Sequence, residues 1–411
     1  MNSTNKLKIF NDPIYGFITI PNTLIYDLIQ HPYFQRLRRI SQMGMTYLVY
    51  PGAHHTRFHH AIGCMHIMQK AVQTLRFKGV SISDEEENAL YIAILLHDIG
   101  HGPYSHAMEK SIVEEVHHEE LSLLFMQQLN TEFNGQLDLA IQVFKGEYHR
   151  KFMLQLISSQ LDMDRMDYLR RDSFYSGVAE GNINSERLIQ MMNVQDDYLV
   201  IDEKGIYSVE MFLVARRLMY WQVYLHKTGV VAELTLTKIL KRAKELTQKG
   251  INLSCSSSLQ FFLQNKISLA DFDFKSLEKF ALLDDYDVMG AIKEWQFSTD
   301  FVLSALCKMI LNRDLLKIQM VDEKPNKERL VELKKKFIAL HNVSDAEADY
   351  FVFKGKIKNQ AYNKASEPIR ILKKDKKVED VVDASDQLNL KALSKPVTKY
   401  FICFPKVVKE A

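Results

Sequence analysis

The chain has 411 residues, of which 46% are hydrophobic and 25% charged, a composition typical of a globular protein and not of a disordered or fibrous chain. Lysine and arginine number 53 against 51 aspartates and glutamates, so the net charge of +2 creates no overall field toward nucleic acid or membranes. Any site for an anion must therefore be built locally.

The cysteines and the start of the chain indicate the compartment. No CxxC spacing occurs, which argues against a zinc knuckle or a disulfide scaffold. The segment MNSTNKLKIFNDPIYG lacks the apolar core of a signal peptide, and the apolar run 89–96 is too short to span a bilayer. We expect a soluble cytoplasmic protein.

The first 49 residues differ in texture from those that follow. They contain Pro13, Pro21 and Pro32, a turn-like NDPIYG and the segment YFQRLRRI with helical spacing. This pattern predicts an N-terminal segment over residues 1–49 that consists of a turn or hairpin and a helix.

Residues 50–312 form a predicted helical body. No proline lies between residues 103 and 325, and a proline costs about 3 kcal/mol inside a helix. Apolar residues three and four apart in EELSLLFMQQL and RKFMLQLISSQL agree. The exception is DYLVIDEKGIYSVE (197–210), which predicts a β-hairpin that turns near Lys204.

Residues 313–411 have the texture of a smaller α+β lobe. Four segments predict strands, DLLKIQMVDE, DYFVFKGKIKN, PIRILKKDKKV and TKYFICFP, and KERLVELKKKFIALH predicts a helix. The lysine-rich LKKDKK (372–377) is read as a solvated strand end, with a phosphate site as the alternative. The predicted fold is therefore mainly α, with a short β-hairpin in the helical body and a C-terminal α+β lobe.

The histidines are unevenly placed, since eleven of 14 lie between His31 and His118. In ILLHDIGHGP an apolar helix stops at His97-Asp98, because Gly100 and Gly102 permit a tight exit and a proline follows. An imidazole beside a carboxylate at a helix end can be aimed at a divalent metal. An HD dipeptide alone is weak, since a lone histidine more often caps or packs.

Two flanking segments strengthen the metal hypothesis. Upstream, in YPGAHHTRFHHAIG, His60 opens a predicted helix. Downstream, SSQLDMDRMDYLRRDSFYSG places Asp164, Tyr168 and Asp172 four residues apart on one helix face. A polar stripe is usually solvated, but this one follows an apolar helix and mixes acids with arginines, so a buried face that binds a ligand is the alternative.

The order of these motifs resembles the H…HD…D signature of the HD-domain metal-dependent phosphohydrolases. Six segments narrow the resemblance to the deoxynucleoside triphosphate triphosphohydrolase (dNTPase, dGTPase) branch, which includes the HD domain of the animal enzyme with a sterile-alpha-motif domain. They are NDPIYG, QRLRRISQMG, YPGAHHTRFHHAIG, LLHDIGHGPYSH, HHEELS and LDMDRMDYLRRD. The resemblance runs from residue 6 to residue 240 and is weaker in the C-terminal lobe, and it implies an HD-domain catalytic body over residues 50–312.

The resemblance implies a metal centre formed by His60, His97, Asp98 and Asp164. Two imidazoles and two carboxylates suit a divalent transition metal, namely manganese, iron or zinc, with magnesium as an acceptable alternative. A second magnesium ion is expected with the nucleotide triphosphate.

The resemblance also implies a set of acid–base residues around the α-phosphate. It consists of His101, His106 and His118, with Glu109 orienting an imidazole. Histidine suits proton transfer near neutral pH, and the sequence leaves open which one is the acid.

Substrate contacts are carried over in the same way. The expected sugar, base and phosphate contacts are Gln42, Arg57, Arg165, Tyr168, Asp172, Arg216, Tyr220 and Tyr224. Without the resemblance, the helix with Arg216 and the two tyrosines would be an ordinary amphipathic helix. Tyr220 departs from the histidine known at that position, and Tyr224 stands where an aromatic side chain excludes the ribose 2′-hydroxyl.

Regulation is implied as well, because many relatives are oligomers activated by nucleotides bound between subunits. The matching positions are Lys8, Asn11, Gln30, Arg38, Arg187, His226 and Lys227. Gln30 replaces an aspartate that reads guanine, so the base preference need not be guanine. We expect regulatory contacts in residues 1–49 and a homo-oligomer, either a dimer or a tetramer.

The leading prediction is hydrolysis of dNTPs at the α-phosphorus to deoxynucleoside and inorganic triphosphate, activated by nucleotide. The alternative is an HD phosphohydrolase acting on nucleoside monophosphates, cyclic nucleotides or single-stranded nucleic acid, although the charge balance gives no support to nucleic acid. A third class is a sensor protein with a dead HD scaffold, which would not need the full set of ligands and histidines. No membrane partner is expected.

Overall fold

The computed structural model describes residues 8–109, 111–113, 116–386, 390 and 393–410, with the side chains of all of these except residues 106, 409 and 410. Helices dominate the described chain, as predicted. Their bounds are α1 Thr23–Gln30, α2 Pro32–Gln35, α3 Arg57–Phe77, α4 Asp84–Leu96, α5 Ser105–Glu109, α6 His118–Glu132, α7 Asp138–Phe144, α8 Lys151–Ile157, α9 Met163–Ser176, α10 Ser185–Met191, α11 Ile206–Met219, α12 Lys227–Gln248, α13 Ser257–Gln264, α14 Phe274–Ala281, α15 Asp285–Trp295, α16 Phe301–Leu311, α17 Lys327–His341, α18 Asp345–Ala348, α19 Val381–Ala384 and α20 Val407–Glu410.

Short strands form three small sheets. Their bounds are β1 Ile9–Asp12, β2 Gly16–Thr19, β3 Met192–Gln195, β4 Tyr198–Asp202, β5 Lys317–Val321, β6 Phe353–Asn359, β7 Arg370–Leu372, β8 Val378–Asp380 and β9 Val397–Phe404. Strands β1 and β2 form the N-terminal hairpin, the second sheet has the order β3-β4-β7-β8, and the third has the order β5-β9-β6.

Helix α3 packs against both α4 and α9, and the three helices carry the predicted motifs. Helix α4 begins with a capping box between Ser83 and Glu86 and continues as a buried apolar run up to Leu96. Asp162 caps the start of helix α9, where its side chain accepts from the Arg165 amide, and Gly177 caps the end with a φ of 73°. The end of α4 that carries the HD pair is therefore fixed by the packing of its apolar run, and the start of α9 that carries Asp164 is fixed by capping.

The N-terminal segment contains the predicted hairpin and helical turns.

Helix α3 begins at Arg57, three residues before His60, because Thr56 and His59 form its capping box. His60 consequently lies in the first turn of α3 rather than at its opening.

A hairpin is present in the helical body, but the predicted position of its turn is wrong. Strands β3 and β4 pair through a turn at Asp196 and Asp197, both with positive φ (51° and 65°), and residues 206–219 form helix α11 instead of a second strand. Aspartate tolerates the left-handed region that such a two-residue turn requires, so the Asp-Asp pair served where a glycine was expected.

The predicted strands and helix after residue 312 are confirmed. Strand β7 pairs in parallel with β4, with Ile371 opposite Ile201, so the C-terminal region completes a sheet of the helical body. The lysine-rich segment forms the tight turn between β7 and β8, and Lys374 and Lys376 are exposed. Throughout the residues that can be described, helices long and apolar enough to cross a membrane are absent.

Candidate active site

The HD pair lies where α4 ends. The Nδ1 atom of His97 lies 2.6 Å from the Ile94 carbonyl oxygen, and because a carbonyl only accepts, Nδ1 carries the proton. The Nε2 atom of His97 is buried and has no hydrogen-bond partner. A buried lone pair held in this way is the usual state of a histidine that binds a metal ion.

His60 reaches the same point from α3. Its Nε2 atom lies 3.1 Å from Oδ1 of Asp164 and 3.7 Å from Oδ2 of Asp98. Nε2 of His97 lies 3.4 Å from Oδ1 of Asp98 and 3.7 Å from Oδ1 of Asp164. The structure thus brings together all four predicted metal ligands, which are distant in sequence.

This arrangement fits a divalent metal ion. The four predicted ligands offer two imidazole nitrogens and two carboxylates, and Nε2 of His97 is buried without a hydrogen bond. The thiol of Cys64 also borders the cluster, with Sγ 3.6 Å from Nε2 of His60. The sequence reasoning assigned no role to this cysteine.

The positive side chains of the cluster lower the pKa values of its two carboxylates. Although burial opposes ionisation, the imidazoles of His60 and His97 hold the pKa of Asp164 well below its usual range. Burial likewise opposes the ionised form of Asp98, but His97, His101 and Arg57 hold its pKa well below that of a free aspartate. Both carboxylates are therefore ionised at neutral pH, as metal ligands must be.

Asp167, which the sequence reasoning missed, supports His60 from behind. Its Oδ2 atom lies 2.8 Å from Nδ1 of His60, and its two oxygens accept from Nε and Nη2 of Arg171 at 2.8 and 2.9 Å. Arg171 in turn donates to Asp12 at 2.7 Å. The four-residue spacing of Asp167 and Arg171 was a usable signal, since acid and base at i and i+4 meet on a helix.

The predicted acid–base residues also cluster. The rings of His101 and His118 stack with centroids 3.8 Å apart, and Glu109 Oε1 lies 3.1 Å from Nδ1 of His118. Burial lowers the pKa of His118, but its hydrogen bond to Glu109 and the charges of Asp98, Glu119 and Glu109 together outweigh burial and raise it. Burial holds the pKa of His101 well below 6.5. The side chain of His106 lies outside the described residues.

The predicted phosphate-binding arginines differ in their partners. Arg57 donates to Asp98 at 2.5 Å, and Arg165 pairs with Asp162. Arg216 instead leaves Nε and Nη1 buried without a hydrogen-bond partner. Burial raises the pKa of Tyr168, whereas the positive charges of Arg165 and Arg216 lower it. Both arginines therefore lie close to the Tyr168 side chain.

The predicted sugar and base contacts form an aromatic wall. The Tyr224 ring lies 6.0 Å from Tyr168 and 5.2 Å from Tyr220, and its hydroxyl donates to Asp172 at 2.8 Å. Residues 220–224 form one π-helical turn after α11 rather than a continuation of the α-helix. Such turns recur at functional sites.

Two further groups complete this wall. His55, which the sequence reasoning overlooked, places Nε2 2.7 Å from the second oxygen of Asp172 and stacks on Tyr175. Oε1 of Gln42 is buried without a partner, and its backbone amide donates to His55.

The predicted regulatory residues are exposed, except for the half-buried His226. Lys8, Asn11 and Gln30 are exposed, and Arg38 stacks on Phe58 with its guanidinium carbon 3.5 Å from the ring centroid. The Arg187 side chain donates to the carbonyl of Lys204, and His226 caps α12. Lys227 lines a hollow of about 270 Å³ together with Arg313, Lys317 and Lys406.

Comparison with known proteins agrees with this geometry. Residues 57–172 match the HD domain family, and residues 183–255 match the HD associated region. The chain is 39% identical over 333 residues to the uncharacterized protein YwfO of Bacillus subtilis, which covers 78% of this chain and 73% of that protein. It is 50% identical to a phosphohydrolase from Bacteroides thetaiotaomicron of known crystal structure, with a TM-score of 0.94 over 97% of this chain and 100% of the other.

A relative with a named activity is more distant. The deoxynucleoside triphosphate triphosphohydrolase SAMHD1 homolog of Dictyostelium discoideum is 30% identical over 263 residues, which are 59% of this chain and 51% of that protein. The fold, the cluster and these similarities define a metal-dependent phosphohydrolase of the HD type. The chain belongs to the HD-domain family.

Proposed function

We propose that this protein hydrolyses deoxynucleoside triphosphates at the α-phosphorus, giving a deoxynucleoside and inorganic triphosphate. Relatives named as dNTP triphosphohydrolases support this substrate class. The structural observation that carries the proposal is Arg216, whose Nε and Nη1 atoms are buried without a partner and whose charge acts on Tyr168, a ring 6.5 Å from that of His60. Arg216 is half-buried, and leaving two of its buried donors unpaired costs free energy that hydrogen bonds to a triphosphate would offset.

In this proposal His60, His97, Asp98 and Asp164 hold a divalent metal. When bound, the ion supplies Lewis-acid polarisation of the α-phosphoryl group and a lowered pKa for the attacking water. The oxygen of water forms a bond to the α-phosphorus, and the bond from phosphorus to the 5′ oxygen breaks. One proton from water is taken up by the protein or solvent, and the 5′ oxygen receives one proton.

The stacked imidazoles of His101 and His118 are placed to handle these protons. Glu109 holds Nδ1 of His118, which fixes the ring. We assign the proton for the departing 5′ oxygen to this pair as a unit, because a charge on one of two imidazoles stacked 3.8 Å apart changes the proton affinity of the other. His106 belongs to the same proposed set.

The aromatic wall gives the proposed sugar selectivity. Asp172 accepts from Tyr224 through one oxygen, so a 3′-hydroxyl that donates to this carboxylate would lie against the Tyr224 ring. The same ring would crowd a ribose 2′-hydroxyl. Gln42, with its unpaired Oε1, would accept a further hydrogen bond from the substrate.

We also propose a nucleotide activator bound between subunits of a homo-oligomer. Its support is the group of cations around the hollow at the start of α12, together with the exposed Lys8 and Asn11 of the N-terminal segment. Helix α12 contributes its N-terminus to this hollow, which favours an anion. The proposal also keeps the predicted boundaries of the N-terminal segment at residue 49 and of the helical body at residue 312.

The test is product analysis with each dNTP alone and with mixtures, in the presence of Mn²⁺. We expect tripolyphosphate and deoxynucleoside in equal amounts, measured by phosphorus NMR and chromatography. Mixtures matter because a single nucleotide can be a substrate without being an activator. The control is Asp164→Asn, which removes a proposed ligand and should abolish product formation.

The outcomes separate the alternatives. Release of orthophosphate from a nucleoside monophosphate, with no cleavage of dNTP, would instead establish the alternative HD activity. Binding of nucleotides without any cleavage would establish a sensor protein. Hyperbolic kinetics for every dNTP, singly and in pairs, with no change in assembly would contradict the activator.

A further inference from the structure

A line of alternating charges runs from the N-terminal hairpin to the metal-binding cluster. Asp12 accepts from Nη1 of Arg171, Arg171 holds both oxygens of Asp167, and Asp167 faces Nδ1 of His60. The successive distances are 2.7, 2.8 and 2.8 Å, with a second Arg171–Asp167 bond of 2.9 Å. The line therefore joins residue 12 to a proposed metal ligand without a gap.

Every member of this line is excluded from water. His60, Asp167 and Arg171 are 0% exposed, and Asp12 is 7% exposed. In a low-dielectric interior a charge interacts strongly with its neighbours and cannot find a substitute partner in solvent. Loss of the Asp12 charge would therefore alter the interaction of Arg171 with Asp167, because Arg171 binds both carboxylates.

The hairpin turn itself is built around Asp12. Its Oδ1 atom accepts from the amides of Ile14 and Tyr15 at 2.8 and 3.0 Å, whereas its Oδ2 atom faces Arg171. The Tyr15 ring lies 5.6 Å from the Arg171 guanidinium carbon. One oxygen of Asp12 therefore stabilises the turn, and the other binds Arg171.

Helix α3 is shaped to admit this line. At Gly63 a Cβ atom would lie 2.2 Å from both Arg171 Nη2 and Asp167 Oδ1, so only glycine fits. The close approach of α3 and α9 at this glycine lets one carboxylate serve His60 and Arg171 together.

We propose that the N-terminal hairpin is part of the metal centre, with Asp12 as a positioning residue that acts through Arg171 and Asp167 on His60. Asp167 fixes the His60 ring so that Nε2 faces the metal and makes that nitrogen more basic. Asp12 shares Arg171 with Asp167 and so prevents the guanidinium from drawing the Asp167 charge away from His60. The inference rests on the metal-binding part of the proposed function and not on the substrate.

The experiment measures Mn²⁺ affinity of the full chain without nucleotide, from the free-ion EPR signal. Asp12→Asn keeps an oxygen for the turn amides and removes the charge that faces Arg171. We expect it to weaken Mn²⁺ binding at least 3-fold, and Asp167→Asn to weaken it about 10- to 100-fold.

The matched control is Asp300→Asn. Asp300 likewise accepts a backbone amide, that of Leu303, and pairs with an arginine, Arg242, but it lies at the start of α16. Its variant should retain the Mn²⁺ affinity of the original chain. Equal affinities for Asp12→Asn and Asp300→Asn, with a loss only for Asp167→Asn, would overturn the inference, whereas failure of the unmodified chain to bind Mn²⁺ would overturn the metal centre itself.

A second measurement needs no variant. Because coupling between two sites is reciprocal, Mn²⁺ binding must stabilise the hairpin if the hairpin strengthens Mn²⁺ binding. We expect slower amide hydrogen exchange in residues 9–19 when Mn²⁺ is added. Slower exchange in α3 with no change in residues 9–19 would contradict the proposal.

Discussion

Two nitrogens of Arg216 have no hydrogen-bond partner in the described part of the protein. Arg57 and Arg165, in contrast, each pair with an aspartate. Arg216 is half-buried, and removing it relieves the desolvation penalty at those two nitrogens, so we predict that Arg216→Met stabilises the chain by up to about 1 kcal/mol. The same change should lower kcat/KM for dNTP at least 100-fold, because the triphosphate loses its cation. Urea unfolding and steady-state kinetics measure the two effects.

The control for that prediction is Arg242→Met. Arg242 binds Asp300 through two nitrogens, so its loss strands a carboxylate and should destabilise the chain by about 2 kcal/mol or more. Arg216→Met would refute the assigned role if it destabilised the protein as Arg242→Met does and left kcat/KM unchanged.

His55 determines, in this account, how Asp172 meets the sugar. His55→Phe keeps a ring that stacks on Tyr175 but removes the donor 2.7 Å from Asp172. We predict that the preference for a dNTP over its 2′,3′-dideoxy analogue, measured as a ratio of kcat/KM values, falls about 10-fold. An equal loss for both nucleotides would show a structural role only, and His54→Phe, at an exposed neighbour stacked on Tyr47, is the control.

The contact between helices α3 and α9 depends on the absence of a side chain at Gly63. Alanine has a better helix propensity than glycine by about 1 kcal/mol, yet at Gly63 its Cβ would collide with a buried ion pair. We predict that Gly63→Ala destabilises the chain by about 2 kcal/mol, since overpacking outweighs propensity.

Gly290 provides the matched substitution in α15. Nothing lies within 4 Å of a Cβ added there, so Gly290→Ala should stabilise the chain by about 0.5–1 kcal/mol. Denaturant unfolding of both variants measures the difference. Similar changes of stability in the two variants would show that α3 and α9 do not approach as described.

The start of α4 should make stability depend on pH. Burial tends to raise the pKa of Glu86, but the Ser83 amide, Arg150 and Tyr148 outweigh it and lower that pKa. A lowered folded-state pKa adds stability above the unfolded value, near pH 4.3, and this stability is lost as pH falls through the folded pKa.

We therefore predict that Glu86→Gln costs about 1–2 kcal/mol at pH 7 and that the difference from the original chain shrinks below pH 4. Urea unfolding at a series of pH values measures it. Glu85→Gln, at an exposed position of the same turn, is the control and should change little. A constant difference across the whole pH range would argue against the ion pair as the cause.

The helical elements could be predicted because their periodicity is local in sequence, whereas the metal ligands, which are distant in sequence, were assigned through the resemblance of the motifs around them. Apolar periodicity predicted α6 and α8, and the HD pair stood at the end of an apolar run. The turn of the β3–β4 hairpin was misplaced because glycine was taken as the stronger signal, whereas two aspartates adopt positive φ. Asp167 was missed because Asp164 and Asp167 look alike in sequence, and only the packing of α3 decides which of them faces Nε2 and which faces Nδ1 of His60.

At the scale of the whole molecule, the C-terminal region is tied into the helical body. Strand β7 adds to β4, and Gln160, just before α9, makes hydrogen bonds with the backbone of Asn363. These contacts lead toward Asp164, so the lobe supports the segment that delivers a proposed metal ligand.

This arrangement predicts cooperative unfolding. Ile371 is fully buried opposite Ile201, and Ile371→Asn should lower stability by about 3 kcal/mol. Both tryptophans, Trp221 and Trp295, lie in the helical body, so their fluorescence reports on it. We expect the fluorescence midpoint to fall together with the circular dichroism midpoint, and an unchanged fluorescence midpoint would show that the lobe unfolds alone.

The most direct test of the account is a crystal structure with Mn²⁺ and a dNTP analogue that resists hydrolysis, with the ion located by anomalous scattering. The account predicts an ion bound by Nε2 of His60 and His97 and by carboxylate oxygens of Asp98 and Asp164, with the α-phosphate beside it and Arg216 on the triphosphate. An ion bound elsewhere, or an α-phosphate remote from these four side chains, would contradict it.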